Sequence, residues 1–179
     1  MPSPAPASRR LPFLAALVLL LAFTGLATGC SHYRLGTESK LSFRTLYLEP
    51  VENKSALPQS RAIVSTQLRE LFARDGRISL VNSPADADAT LKVVINDYHR
   101  DIATVREGDT GLARKFTLTL GTLCTLRERS GKTLFENRPV VAQREAFTDS
   151  GQLQSEYQTL PLLADALAAK IARATLDSW

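Results

Sequence analysis

Between Arg114 and Arg127 apolar side chains fall on alternate positions, with Phe116, Leu118, Leu120 and Leu126 all at even numbers. A period of two sends successive side chains to opposite faces of a strand, so this segment has one apolar and one polar face. The apolar face has to be covered by a second layer of structure. Cys124 falls on that same face. No histidine or basic cluster adjoins it in sequence, so it reads as a small buried hydrophobe and not as a reactive thiol.

The flanks extend the pattern. Arg129-Ser130-Gly131-Lys132 is a hairpin turn, and Thr133 to Phe147 is a further long strand. Pro139 within it predicts a sheet edge or a bulge, because proline cannot donate to a ladder. Upstream, Leu91, Val93 and Ile95 alternate with polar residues, then the apolar side changes to Tyr98 and Ile102. A change of side predicts a bulge near Asn96 or Asp97. Glu107 to Gly111 is the turn between these two strands. Phe43 to Glu49, stopped by Pro50, and the short Ile78 to Val81 read as two more strands, with Val51 to Pro58 as a polar loop.

Two segments carry the helical period. Val64, Leu68, Leu71 and Phe72, with Ile63 beside them, follow Ser60 as the expected cap, and Gly76 after Asp75 is expected as a left-handed stop. Leu160, Leu163, Leu167 and Ile171 form the second stripe, with Ala164, Ala168 and Ala174 next to it. Pro161 suits only a first turn, which predicts a regular helix from about Leu160. The fold class is therefore α+β: a mostly antiparallel sheet of four to five strands with two amphipathic helices on one face.

The first residues read differently. Arg9 and Arg10 precede the apolar run Phe13 to Phe23, which is short for a membrane span and fits an export signal. Ala27-Thr28-Gly29-Cys30 then resembles the lipobox of bacterial lipoproteins, with Ala27 in place of the commoner leucine. That resemblance implies cleavage before Cys30, a diacylglycerol on its thiol and an acyl chain on its new amine. Ser31, not aspartate, follows, which under the sorting rules of that group favours the outer membrane. The expected organisation is a signal peptide over 1–29, a lipidated tether over 30–42 and a single periplasmic domain over 43–179. Removing 1–29 takes two arginines and no acid, leaving 20 basic against 18 acidic residues. A balance of +2 leaves any anionic partner to a local patch and gives no reason to expect nucleic acid.

Catalytic chemistry is sparse. His32 and His99 lack metal-ligand spacing to any cysteine or acid. Asp86 and Asp88 fit a solvated loop feeding a strand better than an acid–base pair, and the stretch offers too few oxygens for calcium. No glycine-rich phosphate loop and no nucleophile elbow occurs. No enzyme activity, metal site or cofactor is expected, apart from the covalent lipid on Cys30.

In order along the chain stand Gly29-Cys30, Tyr33-Arg34-Leu35, Thr45-Leu46-Tyr47-Leu48-Glu49-Pro50 with Asn53, the helix end Leu68 to Arg77, and Ser83 with Asp86-Ala87-Asp88-Ala89 before Leu91. This succession resembles the LptE family of lipopolysaccharide-assembly outer-membrane lipoproteins. The resemblance implies a lipid-anchored domain facing the periplasm, which plugs and stabilises a β-barrel translocon of the LptD type and helps deliver lipopolysaccharide. It also implies a lipopolysaccharide contact at the hairpin bearing Arg106, where Arg114 and Lys115 stand across the turn. Thr148 to Gln154 contains no Lys or Arg to complete a second basic loop. A second reading fits the segment Tyr47 to Ser55 as well: an adaptor lipoprotein that activates a peptidoglycan synthase or forms part of a secretion assembly.

Overall fold

The structure, a computed structural model, describes residues 41–105, 113–147 and 152–177. Its elements in order are β1 (Thr45–Leu48), β2 (Glu52–Asn53), α1 (Ser60–Arg74), β3 (Ser79–Val81), a 3-10 turn (Pro84–Asp86), β4 (Ala89–Val105), β5 (Ala113–Glu128), β6 (Thr133–Phe147) and α2 (Gln152–Leu176). Gly131, at φ +86°, closes the turn between β5 and β6, where its N–H meets the Glu128 carbonyl at 2.9 Å. Such a φ is comfortable only without a Cβ.

The sheet order is β3-β1-β4-β5-β6, with β2 also paired to β4. The α+β class and the two covering helices are as expected, and the β4-β5-β6 meander is antiparallel. Two details differ from the expectation. The strands number six, because Glu52–Asn53 in the supposed polar loop pairs with Val94 and Ile95. The sheet is also mixed, since β1 runs parallel to both β3 and β4. The cause is the helix between β1 and β3: a crossover carries the chain back to the same end of the sheet before the next strand starts.

One sheet face carries the core. Leu91, Val93 and Ile95 of β4 lie opposite Leu126, Cys124 and Thr122 of β5, and all are fully or nearly fully buried. Val64, Leu68 and Phe72 of α1 and Leu160, Leu163, Leu167 and Ile171 of α2 cover them. Each such side chain contributes on the order of 1.5–3 kcal/mol when fully buried, so the two helices are integral to stability. The bulge falls where the apolar side changes: pairing shifts between Ile95 and Asp97. Gly121 faces it, and a Cβ there would stand 3.2 Å from the Asp97 Cβ.

Helix ends depart from the sequence reading. Ser60 is the first helical residue and not the cap; its buried hydroxyl donates to the Leu57 carbonyl at 2.6 Å. Gly76 does not have a positive φ; the α1 stop is made by extended Asp75, whose carboxylate accepts the Arg77 N–H at 3.0 Å. The helix α2 begins well before Leu160 and runs through Pro161. Proline withholds one N–H from the Tyr157 carbonyl, and the extra turns are held instead by side chains. Ser155 is buried, and Thr159 Oγ1 donates to its carbonyl at 2.7 Å.

Asp88 does more than solvate a loop. Its Oδ2 accepts the backbone N–H groups of Arg44 and Thr45 at 3.1 and 3.0 Å. These bonds, to Arg44 first and then Thr45, hold its carboxyl below the usual aspartate range. Arg129 approaches at 3.9 Å and donates Nε–H to the Ala87 carbonyl at 2.8 Å. Together they join the start of β1 to the start of β4 and the hairpin.

Candidate functional site

The meander has two ends of different character. At one end Ser42 Oγ donates to Glu128 at 2.7 Å, so the chain enters the domain beside the Arg129–Lys132 hairpin. The opposite end carries Lys115, Phe147 and the tip of β4. From Glu128 back to Lys115, β5 spans roughly 43 Å at ~3.3 Å per residue. A ligand held at the far end is therefore well separated from the point of chain entry.

Of the expected cationic group, Lys115 is the member whose side chain is described. Arg106, the Glu107–Gly111 turn, and residues 148–151 lie outside the described residues, as does Cys30. Arg114 belongs to β5 by its backbone, and its side chain is outside them too. Lys115 Nζ stands 2.5 Å from Glu145 Oε1 and 5.8 Å from the centre of the Phe147 ring. An anion reaching Lys115 has to compete with that carboxylate.

Sequence reasoning missed two cations on the opposite face of this end of the sheet from Lys115. Arg144 on β6 is exposed, and no described residue pairs with it. It stands opposite Leu118, on the helix side of the sheet. Across Leu118 from it, Arg100 of β4 donates to Glu156 of α2 at 2.9 Å and lies over the Phe116 ring at 5.3 Å. Neither residue carries a motif; their places depend on the register of β4 and β6 against β5.

The polar sheet face is rich in hydroxyls and matched charges. Thr117 and Thr119 of β5 lie between Asp101 and His99 of β4 and Glu145 and Gln143 of β6. His99 is exposed, with Nδ1 at 2.8 Å from Asp97 and Nε2 at 3.4 Å from Asp101. Further along, Lys92 pairs with Glu52 at 2.8 Å and Arg127 with Glu136 at 3.3 Å. Among the described residues, no group of three or more His, Cys, Asp or Glu side chains is placed to hold a metal ion. No helix among them is long and apolar enough to cross a membrane. Cys124 is buried, which pushes its thiol up to about 11, far from a nucleophile's range.

Solved structures share this fold at low identity. A protein of Xanthomonas campestris is 12% identical with a TM-score of 0.57, over 77% of this chain and 86% of that one. An uncharacterized lipoprotein B of Nitrosomonas europaea is 16% identical with a TM-score of 0.52, over 80% and 87%. A minor lipoprotein of Acinetobacter baumannii is 19% identical with a TM-score of 0.50, over 76% and 96%. No curated protein matches the chain. The sequence model of one family, described as lipopolysaccharide-assembly, matches residues 43–175, nearly all of β1 through α2. The chain belongs to the LptE family of lipopolysaccharide-assembly proteins.

Proposed function

We propose that this chain is the lipoprotein subunit of an outer-membrane lipopolysaccharide translocon. Anchored through acylated Cys30, it faces the periplasm, plugs and stabilises an LptD-type β-barrel, and helps pass lipopolysaccharide to the outer surface. It does so by binding and not by catalysis. The observation that carries this reading is the family match across residues 43–175. The geometry is compatible with it: the chain enters at one end of the sheet, and the basic residues Arg114 and Lys115 stand at the other. Arg106, Arg114 and Lys115 are the proposed lipopolysaccharide contacts, since clustered Arg and Lys suit phosphate and Arg binds it bidentately. Three acyl chains at ~0.8 kcal/mol per buried methylene would hold the anchor firmly without a spanning helix.

Co-expression of the chain with the barrel protein tests the reading. A one-to-one complex is expected from detergent-extracted outer membranes, with an intact mass that starts at acylated Cys30. Recovery with a peptidoglycan synthase or a secretion assembly, and not with the barrel, would overturn it. Arg106→Glu, Arg114→Glu and Lys115→Glu together should abolish lipopolysaccharide binding and leave the melting curve unchanged; unaltered binding would send the site elsewhere.

A further inference from the structure

Among the described residues, β6 is the long unpaired edge of the sheet; the opposite edge, β3, is three residues long. Which of its backbone groups face outward follows from four observations. Thr122 of β5 donates its hydroxyl to the Val140 carbonyl at 3.0 Å, so that carbonyl points toward β5. Lys170 of α2 donates to the next carbonyl, that of Val141, at 2.8 Å from the other side. Pro139 is exposed and has no N–H to give, which suits a position facing away from the ladder. Gln143 Nε2 donates to Thr119 Oγ1 at 3.3 Å, the close side-chain approach of a pair that exchanges no backbone bonds. In an antiparallel strand, bonded and non-bonded pairs alternate, so the odd-numbered residues of this stretch present both backbone groups to the free edge.

The odd positions are treated unequally. Proline removes the donor at position 139, and Lys170 occupies the acceptor of Val141. Beyond them Gln143, Glu145 and Phe147 are all exposed, and no described group bonds their backbone from the edge side. An open row of this kind is a template for one more strand. The side chains around it specify the chemistry. Val141 and Phe147, 44% and 56% exposed, project from one face and call for apolar neighbours. Arg144 projects from the other, unpaired among the described residues, and calls for a carboxylate. Glu145 is already matched by Lys115.

We propose that Gln143 to Phe147 receives, by strand addition, a short extended segment of the barrel partner, with an acidic side chain set against Arg144. The inference rests on the barrel partnership proposed above and adds its mode of contact. A closed barrel wall has no free edge, so the segment is one of the partner's loops or tails. The length is limited to about five residues, because Lys170 and Pro139 close the edge behind it. A second copy of this chain is a poorer occupant: pairing two β6 edges antiparallel sets Arg144 or Glu145 against its own copy or close to it, and like charges directly opposite are destabilising.

Proline scanning of the full chain, purified with its barrel partner, tests this directly. Gln143→Pro removes an outward N–H and one part-buried side-chain bond to Thr119 but no ladder bond, so the free protein should melt within a few degrees of wild type while barrel affinity falls by about tenfold or more. Residue-level hydrogen exchange provides the second readout. The amides of Gln143 and Glu145 should exchange fast in the free chain and slow by roughly a hundredfold in the complex, while those of Ala142 and Arg144 stay slow in both. A complex that tolerates Gln143→Pro, or amides at 143 and 145 that gain no protection, overturns strand addition and leaves the partnership standing. A Gln143→Pro chain that cannot fold places that N–H in the β5 ladder and also ends the proposal. A wild-type chain that forms no complex removes the partnership itself.

Discussion

Tyr98 on β4 donates its phenolic proton to Glu156 on α2, and the other oxygen of the same carboxylate accepts from Arg100. Burial and this bond push the Tyr98 hydroxyl above its ordinary range. Because Glu156 lies ahead of Pro161, this contact fastens turns of α2 that the proline leaves one backbone bond short.

Glu156→Ala should therefore cost about 1–3 kcal/mol, since it strands a half-buried hydroxyl and removes the carboxylate that Arg100 binds. Hydrogen exchange should rise across 152–160 and stay unchanged across 163–176. Equal rates along both halves would show that the carboxylate is not what holds the first turns.

Leu68 and Leu167 are fully buried at the centres of the two helical stripes. Leu68→Ala and Leu167→Ala should each lower unfolding free energy by ~2–5 kcal/mol in urea melts. A domain of this size holds about 5–15 kcal/mol, so either loss is large. Wild-type midpoints in both variants would contradict the packing of the helices on the sheet.

Asp88 makes stability depend on acid. Its folded carboxyl titrates below the ordinary aspartate value, so it stabilises the fold above the unfolded pKa near ~3.9, and that contribution is lost as pH falls through the folded value. Asp88→Asn should melt lower than wild type at pH 7, and the gap should close as the pH falls through the lowered folded value. A gap that persists in acid would mean that the two backbone N–H groups do not depend on the charge.

Cys124 sits in the core with Thr122 Oγ1 3.7 Å from its sulfur. Folded protein at pH 8 should resist thiol reagents at this position, and urea should restore labelling. Cys124→Ser should also destabilise, by placing a hydroxyl among apolar neighbours. Rapid labelling of the native chain would show that the strand turns this side chain outward.

Local periodicity made much of this fold legible. The strand Thr133–Phe147 has the limits its sequence suggests, and the change of apolar side from Ile95 to Tyr98 marks the bulge where pairing shifts. The stripes through Leu68 and Leu167 identify the buried faces of both helices. These features repeat every two or 3.6 residues, so a few neighbours in sequence are enough to reveal them. The site was less legible: the sequence brought Lys115 to the end of a strand but gave no sign of Glu145 across the ladder.

What the tertiary structure alone decided depends on residues far apart in the chain. Asp88 reaches Thr45 across 43 positions, and Tyr98 reaches Glu156 across 58. The parallel place of β1 between β3 and β4 follows from how α1 returns over the sheet, which no strand's own pattern records. Pro161 reads as a helix start because proline cannot donate; a carboxylate held by another strand lets the helix run past it. Side-chain alternation fixes which face of β6 is buried, but only its pairing with β5 and its contact with Lys170 decide which backbone groups remain open at the edge.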